Sequence, residues 1–61
     1  MRQFRLFAFD KKNHIIRGYE RECLEKDIQL VALDILQREA SHVERVEVWE
    51  AGQRLHQIKR A

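Results

Sequence analysis

Proline is absent, and glycine occurs only at Gly18 and Gly52. No linker, low-complexity segment or internal repeat interrupts the 61 residues, which read as one domain, 1–61. The single cysteine, Cys23, excludes an internal disulfide and fits a reducing compartment. No apolar run approaches the roughly 20 residues that a membrane span requires. Arg5 and Asp10 interrupt the short apolar patch near the start, so a signal-peptide pattern is missing as well. These absences predict a cytoplasmic protein with no membrane segment. The net charge is +2 with both signs interspersed, a weak attraction for anions and no nucleic-acid footprint. A chain this short buries about 60% of its unfolded surface. With no disulfide it needs a metal, a partner chain or very good packing.

One stretch has helical length. In Glu25 to Ala40, residues Ile28, Val31, Ala32, Ile35 and Leu36 recur at three- and four-residue spacing and form one stripe. Glu25 and Asp27 suit the start of a helix, and Arg38 and His42 suit its end. The caps are poor: no Ser, Thr, Asp or Asn precedes the first turn, and no Gly closes the last. The start falls between Leu24 and Lys26, and tertiary packing must supply most of the stability.

Strand patterns flank the helix. Phe4, Leu6 and Ala8 alternate with Arg5, Phe7 and Phe9, so the first strand is apolar on both faces. Asp10-Lys11-Lys12-Asn13 has turn chemistry, with Asn13 suited to a left-handed conformation. His14 to Glu22 reads as the return strand, with Gly18 marking a bulge or weak point. In the third strand Val46 and Val48 share one face, and Arg45, Glu47 and Trp49 share the other. Gly52 supplies positive φ in the second turn. Along Arg54 to Lys59, Leu55 and Ile58 are three apart, so that strand either ends early or carries a bulge.

The order is ββαββ, an α+β fold. Placing the third strand beside the first makes every pair antiparallel, the commoner pairing, and gives the sheet order 2-1-3-4. One helix then covers Phe4, Leu6, Ala8, Val46 and Val48. The opposite face is left with Arg5, Phe7, Phe9, Arg45, Glu47 and Trp49, joined by Tyr19 or Ile16. Large aromatics beside arginines on an open face call for a partner. A homodimer, face to face or through a shared edge, answers the small-core problem directly. The competing partners are nucleic acid, with bases stacked on the aromatics, and another protein or small ligand. Against nucleic acid stand the missing RRM signature and Glu47 in the middle of the patch. Mutual shielding of these side chains, with nothing bound, is the plainest alternative. Leu30 and Leu33 lie off the core stripe, either exposed or touching a second chain.

Nothing in the chain points to catalysis. Cys23, His14, His42 and His56 match no zinc spacing, so no metal site or cofactor is expected. Cys23 reads as a small hydrophobe at the strand-to-helix junction, and Glu20 and Glu22 as a solvated strand end. Phosphate-loop and GxSxG motifs are missing. The N-terminal proline of small tautomerases is replaced by Arg2.

The segments FRLFAFDKKNHI, RECLEKD and VEVWEAGQRL resemble a family of short, uncharacterised bacterial proteins. Members open with an aromatic strand ending in Asp and continue through an acidic helix start, Val-Glu-Val-Trp, a Gly-containing turn and a basic last strand. Here Asn13 stands where Gly is expected, and Leu24 and Lys26 stand where small or acidic residues are usual. The resemblance implies the ββαββ fold and transfers no catalytic residue. The expectation is a small non-catalytic interaction or accessory protein, self-associating through the aromatic face. A nucleic-acid-binding module using the same face is the alternative.

Overall fold

The computed structural model describes residues 1–60, so the last position of the predicted 1–61 domain lies outside the described residues. The elements are β1 (Arg2–Asp10), β2 (Ile15–Cys23), a 3-10 turn (Glu25–Asp27), α1 (Ile28–Arg38), β3 (Val43–Glu50) and β4 (Gln53–Lys59). The four strands form one antiparallel sheet in the order β2-β1-β3-β4, as pairing preference predicted, and α1 packs chiefly on β3. The core is Phe4, Leu6, Ala8, Ile28, Ala32, Ile35, Leu36, Val43, Val46 and Val48, with Val31, Tyr19, Cys23, Leu55 and Ile58 partly buried against it.

The α-helix is shorter than Glu25 to Ala40. Without a side-chain cap, the first turn closes as 3-10 through Asp27 N–H donating to Leu24 C=O at 2.9 Å. Extended backbone at Glu39 (ψ 160°) ends it. No glycine caps that end; Arg60 does, reaching back from beyond β4. Its guanidinium donates to the carbonyls of Leu36 (2.8 Å), Ala40 (3.3 Å) and Val43 (2.8 Å), which supplies donors and positive charge where a helix end needs both.

Three bulges adjust the strands. Ala8 pairs with Arg17 but Phe9 with Ile15, so Ile16 is the extra residue of β2. Phe9 pairs with Arg45 but Asp10 with Val43, which makes Glu44 extra in β3 and turns Val43 into the core. Val48 pairs with His56 but Trp49 with Arg54, so β4 does carry a bulge, at Leu55. Tyr19 pairs with Leu6 and donates its hydroxyl to Glu39, so it lies on the helix face and does not join the aromatic patch.

Both turns follow from local chemistry. Asp10 Oδ1 accepts from the Lys12 and His14 amides at 2.9 Å each, and Asn13 takes φ 65°. The β3–β4 loop is Ala51-Gly52, with φ 51° and 78°, as a type I′ hairpin requires. Alanine is a poor residue for the left-handed region. Replacing Ala51 with Asn should stabilise the fold by about 0.5–1 kcal/mol, raising Tm by roughly 4 °C. An unchanged or lower Tm in a thermal melt would contradict this account of the turn.

Candidate interaction face

The strand registers set the uncovered sheet face in rows. One row runs Glu20, Arg5, Trp49, Arg54 from β2 to β4; the next runs Gly18, Phe7, Glu47, Gln57; the third runs Ile15, Phe9, Arg45, Lys59. Arg5, Phe7, Phe9, Arg45, Glu47 and Trp49 therefore do converge on one surface. Leu30 and Leu33 do not share it: they are 68% and 40% exposed on the outer side of α1, across the sheet.

Glu47 is the centre of the face. It is 4% exposed although no helix among the described residues covers it. Its Oε2 accepts from Arg45 Nε at 2.9 Å and lies 3.5 Å from Arg54, while Oε1 accepts from the Trp49 indole N–H at 3.0 Å. Arg45 is held in turn by Asn13 Oδ1 at 2.8 Å and stacks over the Phe9 ring, 4.1 Å from its centroid. Phe7 lies across Gly18, where an added Cβ would sit 3.7 Å from the ring. The aromatics Phe7, Phe9 and Trp49 are each half-buried, so the side chains do shield one another in part. A shallow groove remains between Gln3, Arg5, Phe7, Glu20 and Trp49, closed at one end by Glu50, Ala51 and Gly52.

Arg54, Gln57, Ile15 and Glu20 belong to this face and were not placed there from the sequence. Strict alternation in β2 and β4 would have put Ile15 and Arg54 on the helix side; only the bulges bring them round. The burial of Glu47 left one faint signal, its position two residues from both Arg45 and Trp49 on a single strand face.

The remaining groups stay apart. Among the described residues, no three of His, Cys, Asp and Glu gather closely enough to hold a metal ion. His14 Nδ1 lies 3.5 Å from Asp10, His56 lies 3.3 Å from Gln29, and Cys23 is half-buried at the end of β2. No helix among the described residues is long and apolar enough to cross a membrane. Comparison with protein-family models, curated proteins and solved structures finds no match, so the likeness to short bacterial proteins rests on sequence motifs alone.

Burial alone would raise the Glu47 carboxyl. The hydrogen bonds from Arg45 and Trp49, with the charges of Arg45 and Arg54, outweigh it and hold the group below its ordinary 4.5. A carboxyl depressed on folding stabilises the native state above its unfolded value and loses that contribution as pH falls through the native value. Urea midpoints should therefore drop as pH falls below about 4.5. Asp10 and Glu50 are also depressed, by the His14 amide and by Arg2 respectively. Glu47→Gln should accordingly flatten the acid slope without abolishing it. An unchanged slope would show that Glu47 does not ionise inside this network.

Proposed function

We propose that this chain is a small, non-catalytic interaction or accessory protein of the cytoplasm that binds a second copy of itself through the open sheet face. The observation that carries this reading is the surface around Glu47. The half-buried aromatics Phe9 and Trp49 are tied into an internal ion-pair and cation–π network, and half-buried Phe7 lies across Gly18 beside them, on a face that no element among the described residues covers. A surface already ordered loses little side-chain freedom on binding. Fully burying a large apolar side chain contributes roughly 1.5–3 kcal/mol, and covering the exposed part of these half-buried aromatics contributes a share of that. Glu47 is satisfied internally and needs no group from the partner, so its further desolvation carries a small cost.

The same observation weighs against nucleic acid as the occupant. Glu47 is ionised at the centre, and Glu20 and Glu22 share the face on β2. The central cation Arg45 is already engaged with Glu47 and Asn13. Phosphate binding needs such groups free.

Sedimentation equilibrium at near-physiological salt should show a concentration-dependent dimer. Trp49→Ala should raise its Kd by a hot-spot amount, about 30-fold or more. A wild-type chain that stays monomeric, or a Trp49→Ala dimer as tight as wild type, would sink this reading. Salt-sensitive retention of a monomer on single-stranded DNA would move the weight to the nucleic-acid alternative.

A further inference from the structure

The charge on the open face is laid out antisymmetrically. The β2 margin presents Glu20 and Glu22 to this side, and the β4 margin presents Arg54 and Lys59. Between them, β1 carries Arg5, Phe7 and Phe9, and β3 carries Trp49, Glu47 and Arg45 in matching rows. Two sheets can pack face to face about a two-fold axis in either of two directions. An axis across the strands sets β4 over the second copy's β4 and brings Arg54 against Lys59 of the second copy, a like-charge contact. An axis along the strands sets β2 over β4 and β1 over β3, and every row then meets its own reverse.

We propose that two copies of this chain pack sheet face on sheet face about a two-fold axis parallel to the strands, with Glu20 of each copy opposite Arg54 of the other. The proposal rests on the self-association reading above and adds its geometry. In the first row, Arg5 comes over the second copy's Trp49, a cation–π arrangement made twice by symmetry. In the third, Phe9 comes over the second copy's Arg45, and Ile15, 58% exposed, meets the apolar stem of the second copy's Lys59. In the middle row, Phe7 closes over the second copy's satisfied Glu47.

The side chains that must reach across are free to do so. Arg5 is 71% exposed, Glu20 61% and Arg54 53%. Their contacts within the chain are loose, at 3.8 Å from Arg5 to Glu20, 3.3 Å from Gln3 to Glu20, and 3.5 Å and 3.2 Å from Arg54 to Glu47 and Gln57. Aligned sheets cross at about 30°, which displaces the outer rows by a few ångströms, within the reach of arginine and glutamate. The face is small. Four strands at about 4.8 Å spacing put the total buried area near the lower limit of specific interfaces, so charge register has unusual leverage over which packing forms.

Charge reversal at the margins tests this directly. Glu20→Arg alone places arginine against arginine, and Arg54→Glu alone places glutamate against glutamate. Each variant should dimerise on the order of a hundredfold more weakly than wild type. An equimolar mixture should restore a dimer within a few-fold of wild type, because each chain then meets its opposite charge at both margins. Circular dichroism checks that each variant is folded. Should Arg54→Glu unfold through its nearness to Glu47, a second experiment decides: Glu20→Cys and Arg54→Cys chains, both with Cys23→Ala, are mixed with a short bis-maleimide. Cross-linking of unlike chains in preference to like chains is the expected result. A wild-type dimer whose variants fail to complement, or which cross-links like chains only, would overturn the geometry while leaving self-association in place. A monomeric wild type would remove both.

Discussion

A single helix of eleven residues sets the terms for this molecule. A helix is about 10–12 Å wide with its side chains, whereas four strands span roughly 19 Å. Lying chiefly on β3, α1 therefore cannot cover β2 even on its own side of the sheet. The gap is bridged by polar contacts. The Tyr19 hydroxyl donates to Glu39, and Arg17 lies 3.6 Å from the same carboxylate. At the far end of the sheet, Arg2 links Glu50 at the end of β3 to Glu25 before the helix. These links hold the margins where apolar packing runs out, and no element among the described residues covers the opposite face.

That opposite face must remain stable in water while carrying three aromatics, and Glu47 is how it does so. An ionised carboxylate at 4% exposure is tolerable only when donors surround it. Arg45 and Trp49 supply them, and Arg45 also covers the Phe9 ring. The strand edges are defended differently. β2 exposes Arg17, Glu20, Arg21 and Glu22, and β4 exposes Gln53, Arg54, Gln57 and Lys59. Charged, exposed edge strands resist pairing with another chain. Of the two routes to a dimer that the sequence left open, edge and face, the charge placement favours the face.

Much of this was legible before the structure. The helical stripe and the alternation of Phe4, Leu6 and Ala8 identified the two layers of the core, and the preference for antiparallel pairs identified the strand order. What escaped has a common cause. Val43 in the core, Tyr19 on the helix side, and Ile15 and Arg54 on the open face all depend on strand parity. A bulge flips parity without changing composition. Arg60 escaped for a related reason: a cap supplied from 24 residues away leaves no local signal at the helix end. The helix was read too long because the acidic Glu25 and Asp27, which suit a first helical turn, lie in a 3-10 turn, and no local residue marks the end at Glu39.

The bulges are themselves part of the surface chemistry. Were Leu55 an ordinary ladder residue, alternation back from Ile58 and His56 would turn Arg54 toward α1, away from Glu47 and Trp49. Were Ile16 paired in regular alternation, the exposed Ile15 would leave the row of Phe9 and Arg45. Were Glu44 paired in the same way, Val43 would point to the open side and be lost from the core. Each inserted residue sends the one beyond it to the side where its chemistry is satisfied: valine into the core, arginine beside a carboxylate, isoleucine beside an aromatic. Regular alternation gives the sheet its two surfaces of different character. The three breaks then add Ile15 and Arg54 to the open face and Val43 to the core.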